Sequence, residues 1–192
     1  ISPQDLLSYF QLLTITPEKI RPFYTIDLIE TLINVFRNQK NSALTFFGLS
    51  EQTKGIQIPS ISADVLNNNF AIIIRMFIIE RDGTIFHLSN DNEFLTLAFG
   101  PNSLLVLNGQ TLDNTLPISQ WITFVFNYTK SGVYQIIVNE QVLDTKNYKF
   151  NFKEDFYENV IALQLKCNIE SIRIEKNKVP IYNFNAYSFY QK

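Results

Sequence analysis

From Ala43 onward the chain alternates apolar and polar side chains with a period of two. A strand turns successive side chains to opposite faces, so this period specifies sheets buried on one side. The alternation comes in short segments: 43–47, 55–61, 70–79, 84–89, 94–99, 103–107, 121–127, 132–138, 141–145, 160–166 and 171–175. Between them stand turn sequences such as Arg81-Asp82-Gly83, Gly100-Pro101-Asn102, Asn108-Gly109, Lys130-Ser131-Gly132 and Asn139-Glu140. Gly, Pro, Asn and Asp reverse a chain cheaply, and strands at such spacing form an antiparallel sandwich or barrel. The 17 Phe and 9 Tyr against 6 Gly suit pleated, half-buried surfaces.

Face assignment favours a sandwich. In 121–127 one face carries Ile122, Phe124 and Phe126, and the other Trp121, Thr123, Val125 and Asn127. In 132–138 Tyr134, Ile136 and Val138 share a face, and in 171–175 Ile172 and Ile174 oppose Ser171, Arg173 and Glu175. Such strands have one wet face. Segment 70–79 is apolar on both faces except for Arg75, so it is expected in the middle of a sheet and covered on both sides, with the helical segment a candidate cover.

Residues 1–40 read differently. Ser2-Pro3-Gln4-Asp5 offers a helix N-cap, a proline at the first helical position and an acid at the third. Leu6, Phe10 and Leu13 follow at helical spacing, and Ile29, Leu32, Ile33 and Phe36 mark a second helix over 26–37. Asn38-Gln39-Lys40-Asn41 ends it. This segment is either a helical hairpin covering one sheet edge or the last piece of a helical repeat array.

Charge and rare residues exclude several functions. Sixteen Lys and Arg against eighteen Asp and Glu leave a net charge of −2, so nothing favours a nucleic-acid partner. One cysteine, Cys167, precludes an internal disulfide framework, and one histidine, His87, disfavours His-ligated metals and triad catalysis. The longest apolar block, 70–79, is too short to span a membrane. The chain opens on Ile1 without a basic leader, so it reads as a piece of a longer protein with no visible signal peptide.

A family resemblance rests on ordered motifs. Phe46-Phe47-Gly48-Leu49, Gly55-Ile56-Gln57-Ile58-Pro59-Ser60-Ile61 and the long strand Asn69 to Phe77 resemble the opening of a concanavalin A-like domain. Asp82-Gly83-Thr84-Ile85-Phe86 resembles its next hairpin. Trp121 to Phe126 followed by Tyr134 to Asn139 resembles the paired strands of laminin-G-like jelly rolls, and Glu170 to Ile174 their closing strand. The first three motifs most resemble the concanavalin A-like domain of BEACH proteins, the beige and neurobeachin group, here of fungal style, where it lies within armadillo-like helices.

The resemblance implies a mainly β chain: a helical segment over 1–40, then a concanavalin A-like jelly-roll sandwich of two antiparallel sheets over 41–192. It further implies a cytoplasmic scaffold module, peripheral to membranes, in vesicle trafficking and membrane-protein sorting. The alternative function is a carbohydrate-binding lectin domain of a secretory-pathway protein. One departure is Glu140, where the hairpin motif has Gly; a positive φ there would be strained.

Chemistry is sparse. A jelly-roll glucanase needs two carboxylates flanking the sugar bond, and strands 70–79, 121–127 and 132–138 hold no acid. Asp91 and Glu93 read as solvated turn acids, and Asp82, Asp91, Asn92 and Asp113 form no clustered calcium loop. No catalytic residue, metal or cofactor is therefore expected. Asn127-Tyr128-Thr129 is a glycosylation sequon that reads as a strand end, Cys167 as a buried thiol ending a strand, and Trp121 as a packing residue. The expected groove contacts are Arg75, Gln135 and His87. A groove with a lone Arg suits a peptide or an acidic protein segment, because guanidinium pairs a carboxylate bidentately.

Overall fold

The structure, a computed structural model, describes residues 46–189. Two antiparallel sheets face each other. The first runs β1 (Phe47–Leu49), β12 (Cys167–Lys176), β3 (Phe70–Ile78), β8 (Trp121–Thr129), β9 (Val133–Val138) and β10 (Gln141–Asn147), with β13 (Val179–Asn185) also pairing with β12. The second runs β2 (Ile56–Ile58), β11 (Glu158–Leu163), β4 (Thr84–Ser89), β5 (Phe94–Phe99), β6 (Leu105–Leu107) and β7 (Gln110–Thr111). Short helices α1 (Ala63–Leu66) and α2 (Ala186–Phe189) flank β3 and end the described chain. The helices expected over 1–40 lie outside the described residues.

The core fills the space between the sheets. From the first sheet Ile72, Ile74 and Met76 of β3 and Ile122, Phe124 and Phe126 of β8 are fully buried. Phe86 of β4 and Leu95 and Leu97 of β5 meet them from the second. Phe126 lies at the centre, with ring contacts to Phe70, Phe86 and Tyr134 at 6.0, 5.2 and 5.7 Å. The expected faces of β8, β9 and β12 are those observed. β3 lies mid-sheet as expected, and its outer residues Ile73, Arg75 and Phe77 are half-buried among the described residues.

Local chemistry fixes the loops. Ser62 caps α1 by accepting from the Val65 amide, and the helix buries Val65 and Leu66. Asn67 then clasps the backbone of Phe152, donating to its carbonyl at 2.7 Å and accepting from its amide at 2.9 Å. That holds a long loop over the sheet end, where Tyr148, Phe150, Phe152 and Phe156 form a chain of ring contacts. Gly83 turns with φ of +97°, and a side chain there would collide with the Gln164 carbonyl.

Several boundaries differ from the expectation. Segment 160–166 is not one strand: β11 stops at Leu163, Gln164 turns with φ of 55°, and Cys167 begins β12 rather than ending a strand. An apolar run reads through a tight turn when the turn residues themselves are not Gly or Pro. β13 was hidden by Pro180, which edge strands tolerate because one side of the ladder is unpaired; it stands at an irregularity opposite Glu175. β7 is two polar residues and shows no alternation. β1 covers Phe47–Leu49; the strand expected over 43–47 lies for the most part outside the described residues.

Candidate functional site

The ladder register places outward residues in rows across the first sheet. One row runs Glu175, Ala71, Asn127 and Gln135; the next has Arg173, Ile73, Val125 and Ile137; Arg75 and Thr123 follow, then Asn168, Phe77 and Trp121. The small Ala71 leaves a trough in the first row. With Asn69, Asn177 and Lys178 at its mouth, this trough forms a groove of about 350 Å³.

Its walls are held in place by named contacts. Asn69 accepts from the Lys130 amide at 2.8 Å and donates to Asn177 Oδ1 at 3.2 Å. Asn177 and Lys178 form the β12–β13 turn with φ of 50° and 65°, which aims both at the groove. Glu175 is fixed by Arg173, whose Nε lies 2.7 Å from Oε1. Nearby, Lys176 pairs with Asp64 and holds that carboxyl below its ordinary range. The Asn127 side-chain amide, by contrast, has no hydrogen-bond partner among the described residues. The groove thus offers amide donors and acceptors, a carboxylate and an ammonium over an apolar floor. A sugar hydroxyl, both donor and acceptor, matches such groups.

The three expected groove contacts do not form one site. Gln135 continues the groove row beside Asn127 and lies 3.5 Å from Thr145 Oγ1. Arg75 stands two rows away. It is not a lone cation: Nε lies 3.5 Å from Glu170 Oε2, Nη1 donates to Thr123 Oγ1 at 3.3 Å, and the guanidinium lies 5.8 Å from the Trp121 ring. Glu170 belongs to β12 at a bulge between Ile169 and Ser171, a placement the strand alternation gave no means to see. The acidic partner already present weakens the case for an external carboxylate. His87 is on the other sheet, where Nδ1 lies 2.6 Å from Thr96 Oγ1.

Trp121 is half-buried on the outer face against Phe77 and Phe46, at 5.8 and 6.1 Å. Among the turn acids, Glu93 is structural. Asn90 Oδ1 accepts from the amides of Asn92 and Glu93, and Glu93 Oε2 accepts from Lys153 N at 2.9 Å. Among the described residues no three His, Cys, Asp or Glu side chains converge as metal ligands. No described helix is long and apolar enough to cross a membrane.

No protein-family model and no curated protein sequence matches the chain. Solved structures do. Domain 4 of AbnA, a GH43 extracellular arabinanase from Geobacillus stearothermophilus in complex with arabinotriose, is similar with a TM-score of 0.52 and 16% identity, over 74% of this chain and 73% of that one. The galectin LEC-6 of Caenorhabditis elegans has a TM-score of 0.40 and 13% identity, over 65% and 94%. A SAP-like pentraxin from Limulus polyphemus has 0.43 and 13%, over 67% and 73%. The fold is a concanavalin A-like jelly roll. At these identities the likeness is one of fold. It agrees with the broad resemblance read from the sequence and adds no support for the narrower one to BEACH proteins.

Proposed function

We propose that this chain is a non-catalytic carbohydrate-binding module whose glycan site is the groove over Ala71. The carrying observation is the unpartnered Asn127 amide set in one row with Glu175, beside Asn177 and Lys178. Amide and charged groups around an apolar floor recognise hydroxyls and a sugar's CH face together. The arabinotriose complex of the arabinanase domain, which shares the fold, is consistent with this reading. The acids of β10 and β12 also support a binding role: Glu170 and Glu175 each pair with an arginine, and Asp144 lies 3.8 Å from Lys146.

The test is a glycan array that includes arabino-oligosaccharides, read with the wild-type chain and with Asn127→Ala and Glu175→Ala. A selected glycan should lose about tenfold or more in affinity with Glu175→Ala, as expected for a hydrogen bond to a charged group worth about 1.5–3 kcal/mol. Glycan binding that both variants retain would refute the groove. A second reading, a protein-interaction module of a BEACH-type cytoplasmic scaffold, draws on the Phe46, Phe77, Trp121 and Arg75 cluster, since aromatic and Arg side chains dominate protein interfaces. Selective capture by a peptide library, abolished by Trp121→Ala and unaffected by Asn127→Ala, would favour it.

A further inference from the structure

The groove over Ala71 opens at one end of the first sheet, where positive charge gathers against the sign of the whole chain, which is −2. Three turns or loops at this end each carry a lysine: Lys178 after β12, Lys130 between β8 and β9, and Lys149 after β10. Lys178 lines the groove itself. The Lys130 amide donates to Asn69, another lining residue. Lys149 stands against the same β8–β9 turn: the Tyr148 amide donates to the Gly132 carbonyl at 2.7 Å, and a Cβ at Gly132 would meet Lys149 Cβ at 3.1 Å. All three lysines are exposed, and none has an ion-pair partner among the described residues.

The acids of the neighbouring strands and helix are already matched. Asp64 pairs with Lys176, Asp144 with Lys146, and Glu175 with Arg173. The Glu175 side chain is only 14% exposed, with that of Arg173 46% exposed beside it, so a ligand meets a neutralised carboxylate there. The three free ammonium groups set the sign of the field around the groove. Unmatched charge at a concave surface concentrates ions of the opposite sign.

Their placement has a repeat. β12, β3, β8, β9 and β10 lie side by side in that order, so Lys178 and Lys130 stand two strands apart. At the usual strand spacing this separates their stems by about 10 Å, with Lys149 one strand beyond the turn that carries Lys130. An extended sugar chain advances by about one strand spacing per ring, so charges on alternate rings would meet lysines at alternate strand ends.

Building on the glycan-binding reading of this groove, we propose that its ligand is an acidic oligosaccharide, one that carries carboxylate or sulfate groups on alternate rings. One anionic group pairs with Lys178 and the next with Lys130, Lys149 extends the track, and Asn127 and Asn177 hold ring hydroxyls. Lysine suits this role, because a compact charge on a flexible stem meets either anion without the fork geometry of arginine.

The experiment titrates the full chain calorimetrically at low salt with two acidic hexasaccharides and their neutral forms. Hyaluronan, with carboxylates only, is set against its carboxyl-reduced form, and keratan sulfate, with sulfates only, against its desulfated form. At least one acidic sugar should bind about tenfold more tightly than its neutral form, and the preference should fade as salt rises. Which of the two is preferred assigns the anion as carboxylate or sulfate. Lys178→Gln and Lys130→Gln should each weaken acidic binding several-fold, and the triple variant with Lys149→Gln should abolish the preference with Tm unchanged, since all three side chains are exposed. Lys166→Gln, which removes the same charge just before the first residue of β12 and so at the opposite end of the sheet, should leave the preference intact. Equal binding of acidic and neutral sugars, a preference that survives the triple variant, an equal loss with Lys166→Gln, or a glutamate hexapeptide binding as tightly as the acidic sugars overturns the proposal. If neutral sugars bind and Asn127→Ala weakens them while no acidic preference appears, the charge inference falls and the groove stands; if no sugar binds the wild-type chain, both fall.

Discussion

The β9–β10 hairpin makes a quantitative prediction, because its two turn residues should respond with opposite signs. Val138 pairs with Gln141, so Asn139 and Glu140 form a two-residue loop, and both adopt positive φ, 49° and 69°. For an L-residue other than Asn or Asp the left-handed region costs about 1–2 kcal/mol. Glycine avoids that cost but has more freedom to lose on folding, which takes back about 0.5–1 kcal/mol. Glu140 is exposed, so Glu140→Gly should stabilise the chain by about 0.5–1 kcal/mol. For a chain of this size that raises Tm by about 1–4 °C. Asn139→Gly should do the reverse. Asn tolerates the left-handed region, and Asn139 Oδ1 accepts from the Thr123 amide at 2.9 Å, a bond worth about 0.5–1.5 kcal/mol. Urea titration and thermal melts of the two variants measure both. A Glu140→Gly variant that is less stable than wild type, or two variants that shift in the same direction, would refute the reasoning.

Three further outcomes follow from the core. Phe124→Ala should cost about 3–5 kcal/mol in urea titration, while Val125→Ala, on the half-exposed face, should cost less than half as much. Asn159 is fully buried and its amide donates at 2.9 Å to the carbonyls of both Pro59 and Phe156; the Phe156 carbonyl also accepts from the Ile61 amide, so Asn159→Leu should cost about 1–3 kcal/mol for the Pro59 carbonyl left unpaired, read as a fall in the urea midpoint. Burial raises the Cys167 thiol from 9.0 to about 12 and, with the Asp144 charge, the Tyr134 hydroxyl from 10.0 to about 12. The unfolded chain ionises first, so this stability is intact below pH 9 and is lost as pH climbs toward 12; Tm measured from pH 8 to 11 should fall, and a Cys167→Ala, Tyr134→Phe double variant should show a shallower decline.

The sandwich was legible because burial on one face imposes a period of two that survives in β3, β4, β5, β8 and β9. Inward Phe124, Phe126, Tyr134 and Ile172 follow from alternation alone. Register did not follow from it. Gln135 could be assigned to a wet face, but its neighbour Asn127 in the groove row depends on which residues pair across β8 and β9. His87 was grouped with Arg75 and Gln135 although it belongs to the other sheet, since alternation says nothing of which sheet a strand joins. Bulges hid the rest. One extra residue at Glu170 supplied the partner of Arg75, and another at Leu143 turned Asp144 inward. The groove itself depends on Ala71, whose small side chain reads as an ordinary member of an apolar strand.

The groove is tested most directly by titrating the isotopically labelled chain with the best-binding glycan and following backbone amide resonances. Binding at the groove predicts shifts concentrated at Asn69, Ala71, Asn127, Glu175 and Asn177, unchanged by EDTA, with the His87 face unmoved. Shifts centred on Trp121 and Arg75, or on His87 and Thr96, would contradict it.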